Sequence, residues 1–362
     1  MARRVLTARE LGRATLARQL LLAREDVPVV EALERVGGLQ AQEPRPPFVG
    51  LWSRLAGFAA GDQLGPLRAG ELVRGMLMRA TLHLVSAADF AALRPALAPV
   101  MTAAMNGALR GRMDGLDLDE VLPAARELLS ERPRTFEELR ALLSERFPAA
   151  NDRALGYAVR TQLPLAMVPG EERWGFPRAA AFALAAAAPP EAAPAEPLVR
   201  RHLGAFGPAS AADVQEWSGL RGLKVVLGGM RDELEVFDDE RGRELFDLHG
   251  APRPPGDTPA PPRLLPEFDS LVLAHADRSR VIADEHRPLV VTKNLRVRAT
   301  FLLDGAVAGT WSIERKGRTA TLRLAPFGRL RKADERALTA EAEALLAFAE
   351  PDAGTHAVSR DD

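Results

Sequence analysis

Leu165-Ala166-Met167-Val168-Pro169-Gly170-Glu171-Glu172-Arg173-Trp174-Gly175-Phe176 reads as two short strands around a turn, and what precedes it decides the fold. A helix over 118–129 leads to Arg132-Pro133-Arg134-Thr135, a second helix over 136–143 and a third over 153–162. Three helices and a hairpin are the winged-helix order. An Ala/Pro-rich bridge covers 185–197, and the same order then restarts. Helices over 199–205, 211–217 and 220–231 precede a hairpin over 234–248 that turns at Asp238-Asp239-Glu240-Arg241-Gly242. Thr135 and Ser210 stand at matching helix starts. Repetition of a whole order of elements outweighs either weak local pattern.

Working outward, 1–115 reads as an elaborated N-terminal winged-helix domain, 116–190 as the second and 191–258 as the third. Thr7 and Glu10 have capping-box spacing, and Leu11, Leu16, Leu20 and Leu21 give the helix behind them an apolar face. A helix after Pro28 ends at Gly37-Gly38. Leu64-Gly65-Pro66-Leu67 introduces a helix expected to include Glu71, Leu72 and Val73, and Met76 to Val85 reads as one strand with Arg79, Thr81 and His83 on one face. Beyond Pro262, short apolar runs separated by Asp304-Gly305 and Lys316-Gly317 turns predict a small antiparallel barrel over 259–350, closed by a helix over 333–349. Residues 351–362 read as a tail. The expected class is α+β, with tandem winged helices and a C-terminal small β-barrel.

A chain of 362 residues is too long for one ordinary core. With no Cys and six scattered His, it offers no disulfide, no thiolate nucleophile and no recognisable metal-ligand spacing. No metal or cofactor is expected. No stretch has the length and purity of a membrane span, and the N-terminal region lacks a signal-peptide run, so the expectation is a cytoplasmic protein without a membrane partner. The formal net charge of -1 makes no overall case for nucleic acid. Its distribution does: residues 1–60 carry nine Arg against six acidic residues, and residues 261–330 carry twelve Lys/Arg against seven. Solvated charged faces produce the same asymmetry.

Leu39-Gln40-Ala41-Gln42-Glu43 leaves a helix and runs into Pro44-Arg45-Pro46-Pro47. Alternation would aim Gln40 and Gln42 into one space while Ala41 turns away. A polar site and a capped helix end both fit this pattern. Three further stretches bear on the choice: Leu6-Thr7-Ala8-Arg9-Glu10 through Arg18-Gln19-Leu20, Arg79-Ala80-Thr81-Leu82-His83-Leu84-Val85, and Leu265-Pro266-Glu267-Phe268-Asp269. Together, and in this order, they resemble the AlkZ-like family of winged-helix DNA glycosylases over about residues 5 to 330. A sister branch carries Gln-x-Asp where this chain has Gln40-Ala41-Gln42.

That resemblance implies tandem winged helices with a small barrel, and excision of N7-alkylated purines, bulky or crosslinking adducts among them. It assigns catalysis to Gln40 and Gln42 and makes Arg79, Thr81 and His83 a supporting strand; from spacing alone a core-edge His83 fits equally. Glu43 reads as an auxiliary acceptor or a solvated helix end, and Asp269 as a structural partner in preference to a water activator. Basic positions expected against DNA are Arg160 and Lys224 in the third helices of the repeats. Arg278, Arg280, Lys293, Arg296 and Arg298 follow in the C-terminal region, with Arg315, Lys316 and Arg318 at a hairpin tip. The implied partner is double-stranded DNA containing alkylated guanine, acted on by a monomer with no obligate protein partner. A non-enzymatic winged-helix transcription regulator is the alternative, in which Gln40-Ala41-Gln42 is incidental.

Overall fold

The computed structural model describes residues 3–185, 193–292 and 296–361. β1 (Val5–Leu6) leads to α1 (Ala8–Arg18), and Thr7 and Glu10 form the reciprocal capping box their spacing predicts. α2 (Val29–Val36) ends at Gly37 and Gly38, whose φ values of 74° and 80° suit only glycine comfortably. β2 (Leu39–Gln40), α3 (Pro46–Arg54) and α4 (Ala60–Arg68) follow. Helix does not continue through Glu71 to Val73. Gly70 turns the chain at φ 77°, and β3 (Leu72–Met76) begins instead. The single strand expected from Met76 to Val85 is also broken. Arg79 and Ala80 adopt φ of 55° and 54°, and the chain reverses into β4 (Leu82–Ser86), antiparallel to β3. An apolar run without Gly, Asn or Asp hides such a turn, because these two residues reach the left-handed region only at a steric cost.

α5 (Ala87–Leu93) and α6 (Ala98–Ala108) connect to the first repeat. α7 (Leu118–Glu131), α8 (Phe136–Arg146) and α9 (Asp152–Gln162) precede β5 (Leu165–Met167) and β6 (Phe182–Leu184). The second strand of this hairpin therefore lies later than Arg173 to Phe176. Phe176 is buried in the N-terminal core and Trp174 packs edge-on against Phe48, so the hairpin loop is drawn onto that core. α10 (Glu196–Phe206), α11 (Ala211–Ser218) and α12 (Leu223–Gly229) precede β7 (Glu235–Asp239) and β8 (Glu244–Asp247). Thr135 and Ser210 cap the second helix of each repeat through boxes with Glu138 and Asp213.

The C-terminal region is not a barrel. β9 (Arg263–Leu265), β10 (Thr300–Leu303), β11 (Ala306–Lys316), β12 (Thr319–Pro326) and β13 (Thr355–Arg360) form an open sheet in the order β13-β12-β11-β10-β9. Closure would require β9 to pair with the opposite edge, and that edge is occupied by residues read from sequence as a tail: β13 runs parallel to β12. The apolar run Leu289 to Val291, one of those read as strands beyond Pro262, is largely the short helix α13 (Arg287–Val290). α14 (Lys332–Ala349) covers one face, burying Leu338, Ala342, Leu345 and Leu346 against Phe301, Leu322 and Leu324.

Sheets cross the boundaries between these parts. β5 joins β3, so the first repeat's hairpin extends the N-terminal sheet into the order β2-β4-β3-β5-β6. β1 joins β7 in the same way, carrying the N-terminus onto the second repeat's hairpin. α1 ties the whole together. Its Arg18 meets Asp247 at 2.7 and 2.8 Å in a buried fork, and Gln19 donates to the carbonyls of Val36 and Ala205.

Candidate active site

The Gln40–Gln42 segment is held at the edge of the N-terminal sheet by a broken strand pair. Gln40 lies opposite His83, and the Ala41 amide donates to the Leu82 carbonyl at 2.7 Å. The return bond from Leu82 N–H to Ala41 is missing. Arg74 takes its place, donating from Nε to Ala41 O at 2.8 Å and from Nη2 to Gln42 O at 3.1 Å, with its guanidinium 4.6 Å above the Phe176 ring. The displaced Leu82 amide faces Gln42 Oε1 at a long 3.4 Å. Both exchanges pull the chain off the sheet immediately after Gln40, because a backbone pair has been swapped for side-chain partners.

The two amides consequently have different surroundings. Gln40 is buried, and Arg79 Nη2 donates to its Oε1 at 3.0 Å; because a guanidinium can only donate, this contact also sets which end of the amide faces it. Arg79 in turn donates to the Trp217 carbonyl in α11, and burial lowers its pKa to about 10, so it stays charged at neutral pH. Gln42 is exposed. His83 is fully buried, its Nδ1–H donating to the Thr81 carbonyl at 3.0 Å, which leaves Nε2 as an unpartnered lone pair. Burial, with the Arg79 charge beside it, pushes its pKa down to about 3. The imidazole is neutral and can only accept at Nε2. Thr81 spends its hydroxyl on the Met78 carbonyl. Arg79, Thr81 and His83 do not share one strand face as expected, since the first two sit in the turn before β4, yet Arg79 and His83 both adjoin Gln40.

Two grooves flank this segment. One, of about 450 Å³, is lined by Gln42, Arg74, Phe136, Arg160, Phe176 and Arg178 among others, between the N-terminal sheet and the first repeat. The other, of about 490 Å³, runs past Arg45, Val49, Glu267, Arg296 and Trp311 toward the C-terminal sheet. Glu43 lines both, so the segment from Gln42 onward is the ridge between them. Arg74 and Arg178 were not singled out in the sequence, where nothing distinguishes them from other arginines.

Of the basic residues expected against DNA, Arg160 lines the first groove and Arg296 the second. Lys224, Arg298, Arg315, Lys316 and Arg318 are exposed. Arg278 and Arg280 are removed from the expected surface: they are buried, Arg278 donating to Glu216 and the His275 carbonyl, Arg280 to the Pro208 carbonyl at 2.9 Å. Lys293 lies outside the described residues. At the hairpin tip Arg315 pairs with Glu350 at 3.1 Å and Lys316 with Glu314 at 3.1 Å, whereas Arg318 forms no ion pair among the described residues. Asp269 takes a structural partner: both its oxygens accept from the buried Arg54 of α3, at 2.9 and 3.0 Å.

No helix among the described residues is long and apolar enough to cross a membrane. The fold matches that of the Streptomyces sahachiroi DNA glycosylase AlkZ with a TM-score of 0.80, covering 99% of each chain at 21% sequence identity. An interstrand DNA cross-link repair glycosylase of the same organism is 34% identical over 133 residues, which span 34% of this chain and 35% of that protein, about a third of its length. Residues 33–348 match the family described as DNA glycosylase AlkZ-like, a span that holds the Gln ridge, both grooves' walls and both repeats. The chain belongs to the AlkZ-like family of DNA glycosylases.

Proposed function

We propose that this chain is a monofunctional DNA glycosylase that hydrolyses the N-glycosidic bond of N7-alkylated purines in duplex DNA, bulky and interstrand-crosslinked guanine adducts included. The observation that carries the reading is the Gln40–Gln42 ridge: one amide oriented by Arg79, the other exposed, with a groove on either side. An N7-alkylguanine is already cationic and leaves readily, so no strong general acid is required. As the bond to C1′ lengthens, positive charge grows on the deoxyribose and water must reach that carbon. A neutral amide cannot take a proton as a carboxylate does, but its carbonyl oxygen can face the developing charge and hold the water.

In this reading the exposed Gln42 positions the water. Gln40, its oxygen engaged by Arg79, orients the sugar or shares that water, and neutral His83 adds a lone pair behind it. Arg74 holds the ridge in place through the two carbonyls it binds. Openness on both sides suits a base too bulky to rotate fully into a closed pocket. Replacing Gln40 and Gln42 together by Ala is expected to lower single-turnover release of N7-methylguanine about 10²–10³-fold, with duplex binding retained. Near-normal release by that variant would remove the pair from the chemistry. Binding to one undamaged sequence without base release from any alkylated duplex would favour a regulator instead.

A further inference from the structure

We propose that Arg160 and Arg178, backed by Arg74, form a seat for a backbone phosphate of the damaged strand in the groove beside Gln42. The inference rests on the glycosylase reading and adds to it how the strand is registered against the ridge. All three arginines line one groove, brought there by α9, by the loop between β5 and β6, and by β3. None of the three forms an ion pair among the described residues, although Glu43 and Glu137 line the same groove. Arg160 is half-buried over the Phe136 ring at 5.7 Å, and its Nε is buried without a partner. Arg178 is exposed at the mouth.

Arg74 and Arg160 bring like charge together at reduced solvation, which Glu43 beside Arg74 offsets only in part and a bound anion would complete. Burial lowers the pKa of Arg74 to about 10, still well above neutrality, and burial also lowers that of Arg160. A planar guanidinium fork matches phosphate oxygens, and Phe136 walls the site against water on one side. A strand phosphate is favoured over a free anion because Gln42, which the glycosylase reading turns toward the sugar, shares this groove, and a phosphate flanks every sugar. Arg74 already spends two donors on the ridge, so a phosphate seated here would be registered directly against Gln42.

The test walks a single neutral methylphosphonate through the phosphates flanking an N7-methylguanine in a duplex, with single-turnover release measured for the unsubstituted protein, Arg160→Gln and Arg178→Gln. Each variant is expected to lose about tenfold on ordinary DNA. At one position next to the lesion the unsubstituted protein should lose about the same factor, and the variants should lose nothing further there. Arg178 is exposed, so its variant cannot owe its loss to misfolding. If the penalties of both variants persist unchanged at every methylphosphonate position, or if neither variant loses rate on ordinary DNA, the seat is wrong while the glycosylase reading stands. If the unsubstituted protein releases no base from ordinary alkylated DNA, both are wrong.

Discussion

Arg54 and Asp269 show how much of this molecule hangs on single buried charges. Neither side chain is exposed to solvent, and the guanidinium also meets the Gly50 carbonyl and Gln19 Oε1, so one residue of α3 joins α1 to the segment after β9. Removing one partner of such a pair leaves the other as an uncompensated buried charge, a larger cost than the pair's own net worth. Arg54→Ala is expected to lower unfolding free energy by about 3–5 kcal/mol. Arg54→Leu combined with Asp269→Leu should cost clearly less. Urea denaturation of both variants checks this, and equal losses would mean the pair's packing, not its charge, is what matters. The Pro266-Glu267-Phe268-Asp269 stretch marks a special position in the sequence, but a carboxylate at its end fits a catalytic base as well as a strut. Only the guanidinium 2.9 Å away distinguishes them.

Among the elements, the junction of β3 and β5 carries the first repeat. Gly75 pairs with His83 on one side and Ala166 on the other, and a Cβ there would stand 2.5 Å from the Phe90 ring and 2.7 Å from the Leu165 carbonyl. Backbone cannot yield as a side-chain tip can, so Gly75→Ala is expected to destabilise by about 1–3 kcal/mol and to lower excision by shifting β4 under Gln40. Thermal unfolding together with single-turnover release would read both effects, and an unchanged melting temperature would contradict the close approach. The β11–β12 hairpin belongs to the same scale. With Arg315 and Lys316 already paired, Arg318→Glu alone is expected to flatten the salt dependence of DNA binding about as much as Arg315→Glu and Lys316→Glu combined. Binding titrations across salt concentrations decide, and an unchanged slope for Arg318→Glu would assign this tip to solvent.

Over the whole molecule, three buried histidines set the response to acid. His83, His202 and His275 lie in the packed interior, and burial drives each pKa down, to about 3 for His83, to about 4 for His202 and well below the usual value for His275. His202 and His275 each bond a carbonyl, of Ala274 and Phe206, linking α10 to the segment after β9. Below about pH 6.5 the unfolded chain takes up protons that these folded imidazoles refuse, so stability falls as pH falls through that window. His83 and His202 each contribute about 2 kcal/mol of loss at pH 5 relative to pH 7, and His275 acts in the same direction. Asp213, held down to about 2 by the Arg280 guanidinium and its bonds from Ser210, adds its own loss only at lower pH. Denaturant titrations at pH 7 and pH 5 should differ accordingly. Equal stabilities would show that the imidazoles are not kept neutral by the fold.

The sequence by itself determined what depends on short-range chemistry. The helix starts at Thr7, Thr135 and Ser210, the stop at Gly37-Gly38, the Asp304-Gly305 reversal and the doubled order of three helices and a hairpin all follow from local hydrogen bonding and φ preferences. Gln40-Ala41-Gln42 fits a capped helix end as well by its local pattern, and it was the resemblance to a family that marked it as a site. Tertiary structure decided whatever needed a partner from far along the chain. It turned Arg79 back onto Gln40, sent Arg278 and Arg280 inward, and brought Arg74, Arg160 and Arg178 into one groove. It also laid β13 on the sheet edge that a barrel would have had to close. Sequence spacing carries the period of an element, but which surface a charge or an edge strand meets is set by packing between elements, and local pattern holds no record of that.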